Sequence, residues 1–264
     1  MKSSDNRYAR IIEFIFNKHY KKNEKSFFFV REEIIEAAKI LKIDLPKNIG
    51  DVIYSFKYRG DLPKSITKTA PNDFSWRIRT AGASKYEFCL TKFKIDPNQM
   101  LCEIKIPDAT PGVIAEYSLD DEQAILARIR YNRLIDIFTG LTCYSLQNHL
   151  RTHLKNLGQV ETDEIYIGID KRGAHYIIPI QAKGKKDKIG ITQIEQDLAL
   201  CREKFPQLIS KLIAAQFHKD NLIVLYEFEE VNNEINLVTE KHYRLVHPGD
   251  LSNEELDIYK RTIE

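Results

Sequence analysis

The chain reads as an α/β protein in two parts. A helix-rich segment closed by a β-hairpin covers 1–95, a linker covers 96–112, and a mixed-sheet α/β part covers 113–264. Three observations predict this division. Apolar residues at helical spacing alternate with short β-branched and aromatic runs along the chain. Proline and glycine breaks cluster at Lys94-Ile95-Asp96-Pro97-Asn98 and Pro107-Asp108-Ala109-Thr110-Pro111-Gly112, where periodicity stops. Charge divides at the same place: 14 Lys and 6 Arg against 5 Asp and 6 Glu leave +9 in 1–95, and the remainder carries −7, giving the overall +2.

In the first part, Tyr8, Ile11, Ile12, Ile15 and Phe16 stand at helical spacing behind Asp5, a capping residue, and predict a helix over 6–20. Phe27-Phe28-Phe29-Val30 reads as a strand, and Arg31–Ile40 is rich in strong helix formers. Asp44-Leu45-Pro46 makes a turn, and Asn48 can cap a third helix running through Val52, Ile53 and Phe56 to Gly60. Phe74–Thr80 and Lys85–Leu90 flank small residues and predict a hairpin.

This order, helices followed by a hairpin on a +9 segment, resembles a winged helix-turn-helix domain. The resemblance implies a third helix in the DNA major groove and a hairpin wing on phosphates. By position, Lys47, Asn48, Tyr54, Lys57, Tyr58 and Arg59 would come from the helix, and Arg77, Arg79 and Lys85 from the wing. Phosphate contacts from such residues give affinity and carry no sequence information.

In the second part, Asp121–Phe138 predicts a helix ending at Gly140, and 141–156 is read as a second helix carrying Gln147, Asn148, His149, Arg151 and His153. Val160–Ile169 and His175–Lys183 predict a strand pair joined by the turn Asp170-Lys171-Arg172-Gly173. A helix over 192–205, strands at 221–229 and 235–246, and an acidic helix from about Ser252 complete the mixed sheet.

The chemistry lies on the strand pair. Period-two alternation puts Glu161 and Asp163 on one face of the first strand, and Gln181 and Lys183 on one face of the second. Apolar strands rarely carry a carboxylate and a lysine aimed at one spot unless an anion or metal sits between them. The chemistry that wants this set is phosphodiester hydrolysis. Asp163 would hold a hard divalent cation such as Mg²⁺, with Gln181 and the carbonyl of Ala182 as neutral donors. Lys183 would orient or deprotonate water, or neutralise charge developing on the phosphorus. Glu161, or else Glu164, would supply the negative charge that a neutral Gln181 lacks.

An acidic residue followed on the next strand by Gln181-Ala182-Lys183 resembles the PD-(D/E)XK, or restriction endonuclease-like, nuclease superfamily, in its Gln-x-Lys subset that includes Mrr-type nucleases. The resemblance covers roughly 120–230. It implies a Mg²⁺-dependent endonuclease of restriction type acting on duplex DNA, a homodimer for double-strand cleavage, and a methyltransferase as a further partner. It also implies polar support from flanking helices, for which Gln147, Asn148 and Gln193 stand in the expected places. The chain departs from the commoner pattern in having Gln at 181 and no proline before Asp163.

Other features point elsewhere. Cys89, Cys102, Cys143 and Cys201 form no Cys-x-x-Cys pair and predict inert thiols. His149 and His153 are one helical turn apart but lack a third ligand nearby. His218-Lys219-Asp220 is contiguous in a turn and builds no hydrolase motif. Gly184-Lys185-Lys186-Asp187-Lys188 is a basic loop that suits a phosphate strand or plain solvation. No run of about 18 apolar residues appears and the start lacks an apolar stretch, so a cytoplasmic protein is expected. Two other readings compete: a DNA-binding regulator with a degenerate nuclease fold, and a nuclease directed to branched or RNA substrates.

Overall fold

The structure, a computed structural model, describes residues 7–56, 62–71, 74–82, 84–91, 95, 97–118, 122–155, 157–185, 189–218, 221–231 and 234–261. It divides into two compact units, one built on Met1–Lys94 and one on Ile95–Leu154 and Gln159–Glu264. Asp5, Lys57, Tyr58 and Arg59 lie outside the described residues.

The first unit runs α1 (Arg7–His19), β1 (Ser26–Val30), α2 (Arg31–Leu41), α3 (Gly50–Tyr54), α4 (Lys64–Thr67), β2 (Ser75–Thr80) and β3 (Lys85–Thr91). Its three strands are antiparallel in the order β1-β3-β2. The helical spacing of Ile11, Ile12, Ile15 and Phe16 becomes the buried face of α1. The Phe16 ring meets Trp76 and Phe88 edge-on, each at a centroid distance of 5.2 Å, an arrangement that adds to plain burial. α2 follows β1 without a loop, and the Val30 N–H is satisfied by Glu33 Oε1 at 3.3 Å. Of the third helix expected to reach Gly60, Gly50–Tyr54 is described as α-helix, and residues 57–60 lie outside the described residues.

The second unit holds an eight-stranded mixed sheet. Its strands are β4 (Glu103–Pro107), β5 (Thr142–Leu154), β6 (Gly158–Ile169), β7 (His175–Lys183), β8 (Ile209–Ser210), β9 (Leu212–Phe217), β10 (Leu222–Val231) and β11 (Glu234–Val246). The order is β4-β11-β10-β9-β7-β6-β5, with β8 pairing beside β7. The pairs β6–β7, β9–β10 and β10–β11 are antiparallel, while β7–β9 and β4–β11 are parallel. Helices α5 (Gly112–Tyr117), α6 (Glu122–Tyr131), α7 (Leu134–Thr139), α8 (Ile191–Lys204) and α9 (Asn253–Arg261) accompany it.

Helices α6 and α7 bury Ile125, Leu126, Ile129, Leu134 and Ile135 in one cluster with Tyr166, Ile178, Ile180 and Ala182. The odd-numbered residues of β7 therefore point to the opposite face. There α8 packs on β7 and β9 as the crossover between parallel strands.

Three sequence expectations change here. Within the helix expected at 141–156, Thr142–Leu154 forms the strand β5. Gly140, at φ +69°, stops α7, and the β-branched and aromatic residues Thr142, Tyr144 and Thr152 favour extension. The helix expected across 120–139 is two helices, broken where Arg133 adopts φ +50°. The linker expected at 96–112 contributes β4, which joins the sheet in parallel register from His242↔Glu103 to Val246↔Pro107.

The β6–β7 turn is tightly specified. Asp170 Oδ1 accepts the N–H groups of Arg172 at 2.8 Å and Ala174 at 2.9 Å, and Gly173 supplies φ +83°. Backbone hydrogen bonds, the Ala174 N–H foremost, pull the Asp170 carboxyl down to about 2. Within the hairpin, a Cβ on Gly168 would come within 3.0 Å of both Ile178 Cδ1 and Leu141 Cδ1. Gly168→Val is expected to destabilise the fold by about 2 kcal/mol through overpacking, read as a lower urea midpoint.

Candidate active site

The β6–β7 ladder runs from Ile169↔His175 to Glu164↔Ile180. Beyond it the Asp163 carboxylate takes over: Oδ2 accepts the Ala182 N–H at 2.8 Å. That bond fixes Asp163 against the backbone of the Gln-x-Lys stretch. Next to it Lys183 is 8% exposed, and its Nζ donates to Glu122 Oε1 at 2.7 Å. Glu122 opens α6, so the acidic partner of the lysine comes from a helix 61 residues earlier.

Gln181 faces α8. Its Nε2 donates to both oxygens of Asp197, at 3.1 and 3.0 Å, and its Oε1 accepts from Gln193 Nε2 at 3.1 Å. The amide oxygen expected to coordinate a cation is therefore committed to a neighbouring amide. Gln193 acts on Gln181 rather than on Lys183.

Asp197 is 1% exposed. Glu161 shares the Asp163 side of β6, but its oxygens lie 3.4 Å from His149 Nδ1 and 3.0 Å from Arg151 Nε on β5. Gln147 stands exposed on β5. Asn148 Oδ1 accepts from Arg130 Nη2 at 3.1 Å, at the residue pair formed by Arg130 and Glu164. With Thr142–Leu154 extended, neither polar residue is delivered by a helix to the site. Glu164, weighed as a source of negative charge, is fully buried on the α6 side and bound to Arg130.

Burial shifts two carboxyls of this region toward their protonated forms. Burial pushes Asp163 above its ordinary 3.8 and Glu122 adds to the rise, while Lys183, the Ala182 N–H and His149 oppose it. Burial pushes Asp197 much further in the same direction, with Asp163 adding and Gln181 opposing.

The sign for stability follows. The folded protein holds the Asp197 proton above the pH at which the unfolded chain releases it. This group therefore favours folding at low pH, and that contribution is lost as pH rises from 3.8 toward the raised folded value. Asp197→Asn removes the titration and leaves an acceptor for Gln181. Its melting temperature is expected to gain on the wild type as pH rises above 3.8, measured by calorimetry.

Basic groups continue from Lys183. Arg128 and Lys185 both lie over the ring of Phe217, 5.8 and 4.9 Å from its centroid. Lys186, Asp187 and Lys188 lie outside the described residues.

In the first unit, Lys47 and Lys85 are exposed, and Lys85 Nζ sits 4.2 Å above the Phe28 ring. Arg77 and Arg79 lie half-buried on β2 opposite Cys89 and Glu87. Asn48 works as a turn residue, its Oδ1 accepting the Gly50 N–H at 3.1 Å and its Nδ2 donating to Asp51 at 2.9 Å.

Among the described residues, no group of three His, Cys, Asp or Glu side chains is arranged to hold a metal ion. The hard oxygen donors that do gather at Lys183 are the Asp163 and Glu122 carboxylates. Their mutual repulsion and the burial of Asp163 are what a divalent cation would relieve. The α/β class with a mixed sheet stands as predicted, and no described helix is long and apolar enough to cross a membrane. Comparison with protein-family models, curated proteins and solved structures finds no match to this chain.

Proposed function

We propose that the chain is a Mg²⁺-dependent DNA endonuclease of restriction type, with a PD-(D/E)XK-like catalytic unit and a winged-helix reader. One observation carries the reading. On the Gln-x-Lys strand the Asp163 carboxylate is pinned to the Ala182 N–H, and the adjacent buried Lys183 is held by a second carboxylate, Glu122. The order helix, strand, helices and antiparallel hairpin in the +9 segment supports the reader.

In this reading Asp163 and Glu122 hold the cation, and Gln181 is a positioning residue locked by Asp197 and Gln193. When bound, the ion supplies Lewis-acid polarisation of the phosphate and acidifies water. Lys183 orients the attacking water and neutralises charge on the phosphate oxygens, and Glu122 fixes the ammonium for that task. Arg128 and Lys185 continue the positive charge along which a phosphate strand is seated.

Supercoiled plasmid incubated with the protein in Mg²⁺, and separately in EDTA, tests this. Nicking or linearisation that requires Mg²⁺ is expected. A second reading, a DNA-binding regulator without catalysis, is favoured by the turn of the Gln181 amide toward α8. Plasmid binding without cleavage in both Mg²⁺ and Mn²⁺ would select it.

A further inference from the structure

The two edges of the eight-stranded sheet are treated differently. β4 is five residues long, carries Glu103, Lys105 and Pro107, and has its Lys105 N–H taken by Tyr259 Oη of α9 at 3.0 Å. Charge, proline and a covering side chain are the usual ways of blunting an edge. The opposite edge, β5, has 13 residues and lacks these devices over its first half. Thr142-Cys-Tyr-Ser-Leu-Gln-Asn148 contains no charge, residues 144–149 are exposed on both faces, and Tyr144 and Leu146 are 58% and 53% exposed. His149 then takes φ +47°, which interrupts regular extension and ends the usable edge.

We propose that β5 is a self-association edge, pairing antiparallel with β5 of a second copy about a two-fold axis at Leu146. The sequence of this edge suits pairing with its own copy and fixes where the axis lies. A two-fold there sets Leu146 against its own mate, Ser145 against Gln147 and Tyr144 against Asn148, all before the break at His149, so no like charges oppose each other. Shifting the axis toward the C-terminal half would instead set Arg151, His153 and Lys155 against their own kind. A ladder spanning 144–148 is small beside a standard interface, so the association belongs to the weak, concentration-dependent class. It rests on no assumption about catalysis.

Sedimentation velocity of the full chain without DNA or metal, from about 1 to about 200 µM, tests it, with Leu146→Lys and Leu146→Glu as variants. The wild type is expected to pass from monomer to dimer. Each variant alone is expected to self-associate at least about tenfold more weakly, and the equimolar mixture to regain dimer as a Lys–Glu pair. A wild type monomeric throughout, variants that dimerise as well as the wild type, or a mixture that stays monomeric would each overturn the proposal. Recovery in the mixture also shows that both variants are folded.

Discussion

Lys183→Ala is expected to lower Mg²⁺-dependent plasmid cleavage by about 10³-fold, and Asp163→Asn by a similar factor, with DNA binding retained. The size follows from the site. Lys183 is the buried cation at the end of β7, and in the proposed reaction truncating it removes transition-state charge stabilisation while leaving Glu122 without its partner. Asp163→Asn keeps the shape and an oxygen for the Ala182 N–H but removes the charge that a divalent ion needs. Glu122→Gln is expected to fall between these variants and the wild type, because it loosens the ammonium and deletes one hard ligand at once. Single-turnover rates on one plasmid substrate, with binding followed separately by anisotropy, distinguish lost chemistry from lost affinity. Cleavage by Lys183→Ala at the wild-type rate would remove the nuclease assignment. A wild type that binds and never cleaves would leave the regulator in its place.

The placing of Asp163 beside the Gln-x-Lys stretch was readable because strand alternation is local and both strands sit in one hairpin. Glu122 and Asp197 were not, since they arrive from α6 and α8 through tertiary packing, and an acid at a helix start ordinarily reads as a favourable first-turn residue. Asp197 did leave a trace. It lies one turn from Gln193 on a helix whose buried residues include Ile194, Leu198 and Cys201, which places it near the inward face. β5 failed for a different reason: a strand exposed on both faces shows no period-two burial, so its exposed residues imitate a polar helix. β4 was lost to the prolines around it, because its parallel partner β11 stands far along the chain and leaves no local signature.

Behind β6, Arg130→Met is expected to destabilise the protein by about 3–5 kcal/mol, the largest stability effect of any single change considered for this unit. Glu164 is fully buried, and its Oε1 accepts from Arg130 Nε at 3.0 Å, from Arg130 Nη2 at 2.9 Å and from Ser145 Oγ at 2.5 Å. Arg130 also donates to Asn148, so one guanidinium ties α6 to β5 and β6 together. Burial, with the Glu164 charge adding, raises the neighbouring Tyr166 phenol, so that hydroxyl stays neutral and puts no second negative charge beside Glu164. Methionine keeps the apolar stem but strands a carboxylate where water cannot reach it. Breaking a buried pair from one side costs far more than replacing both partners, and Arg130→Met/Glu164→Leu is therefore expected to recover most of the loss. Urea denaturation of the wild type, both single variants and the double variant gives the coupling directly. If Arg130→Met costs less than about 1 kcal/mol, the pair does not anchor the sheet. The helix bearing Glu122 would then be held against β7 by its apolar face alone, through Ile125, Leu126 and Ile129.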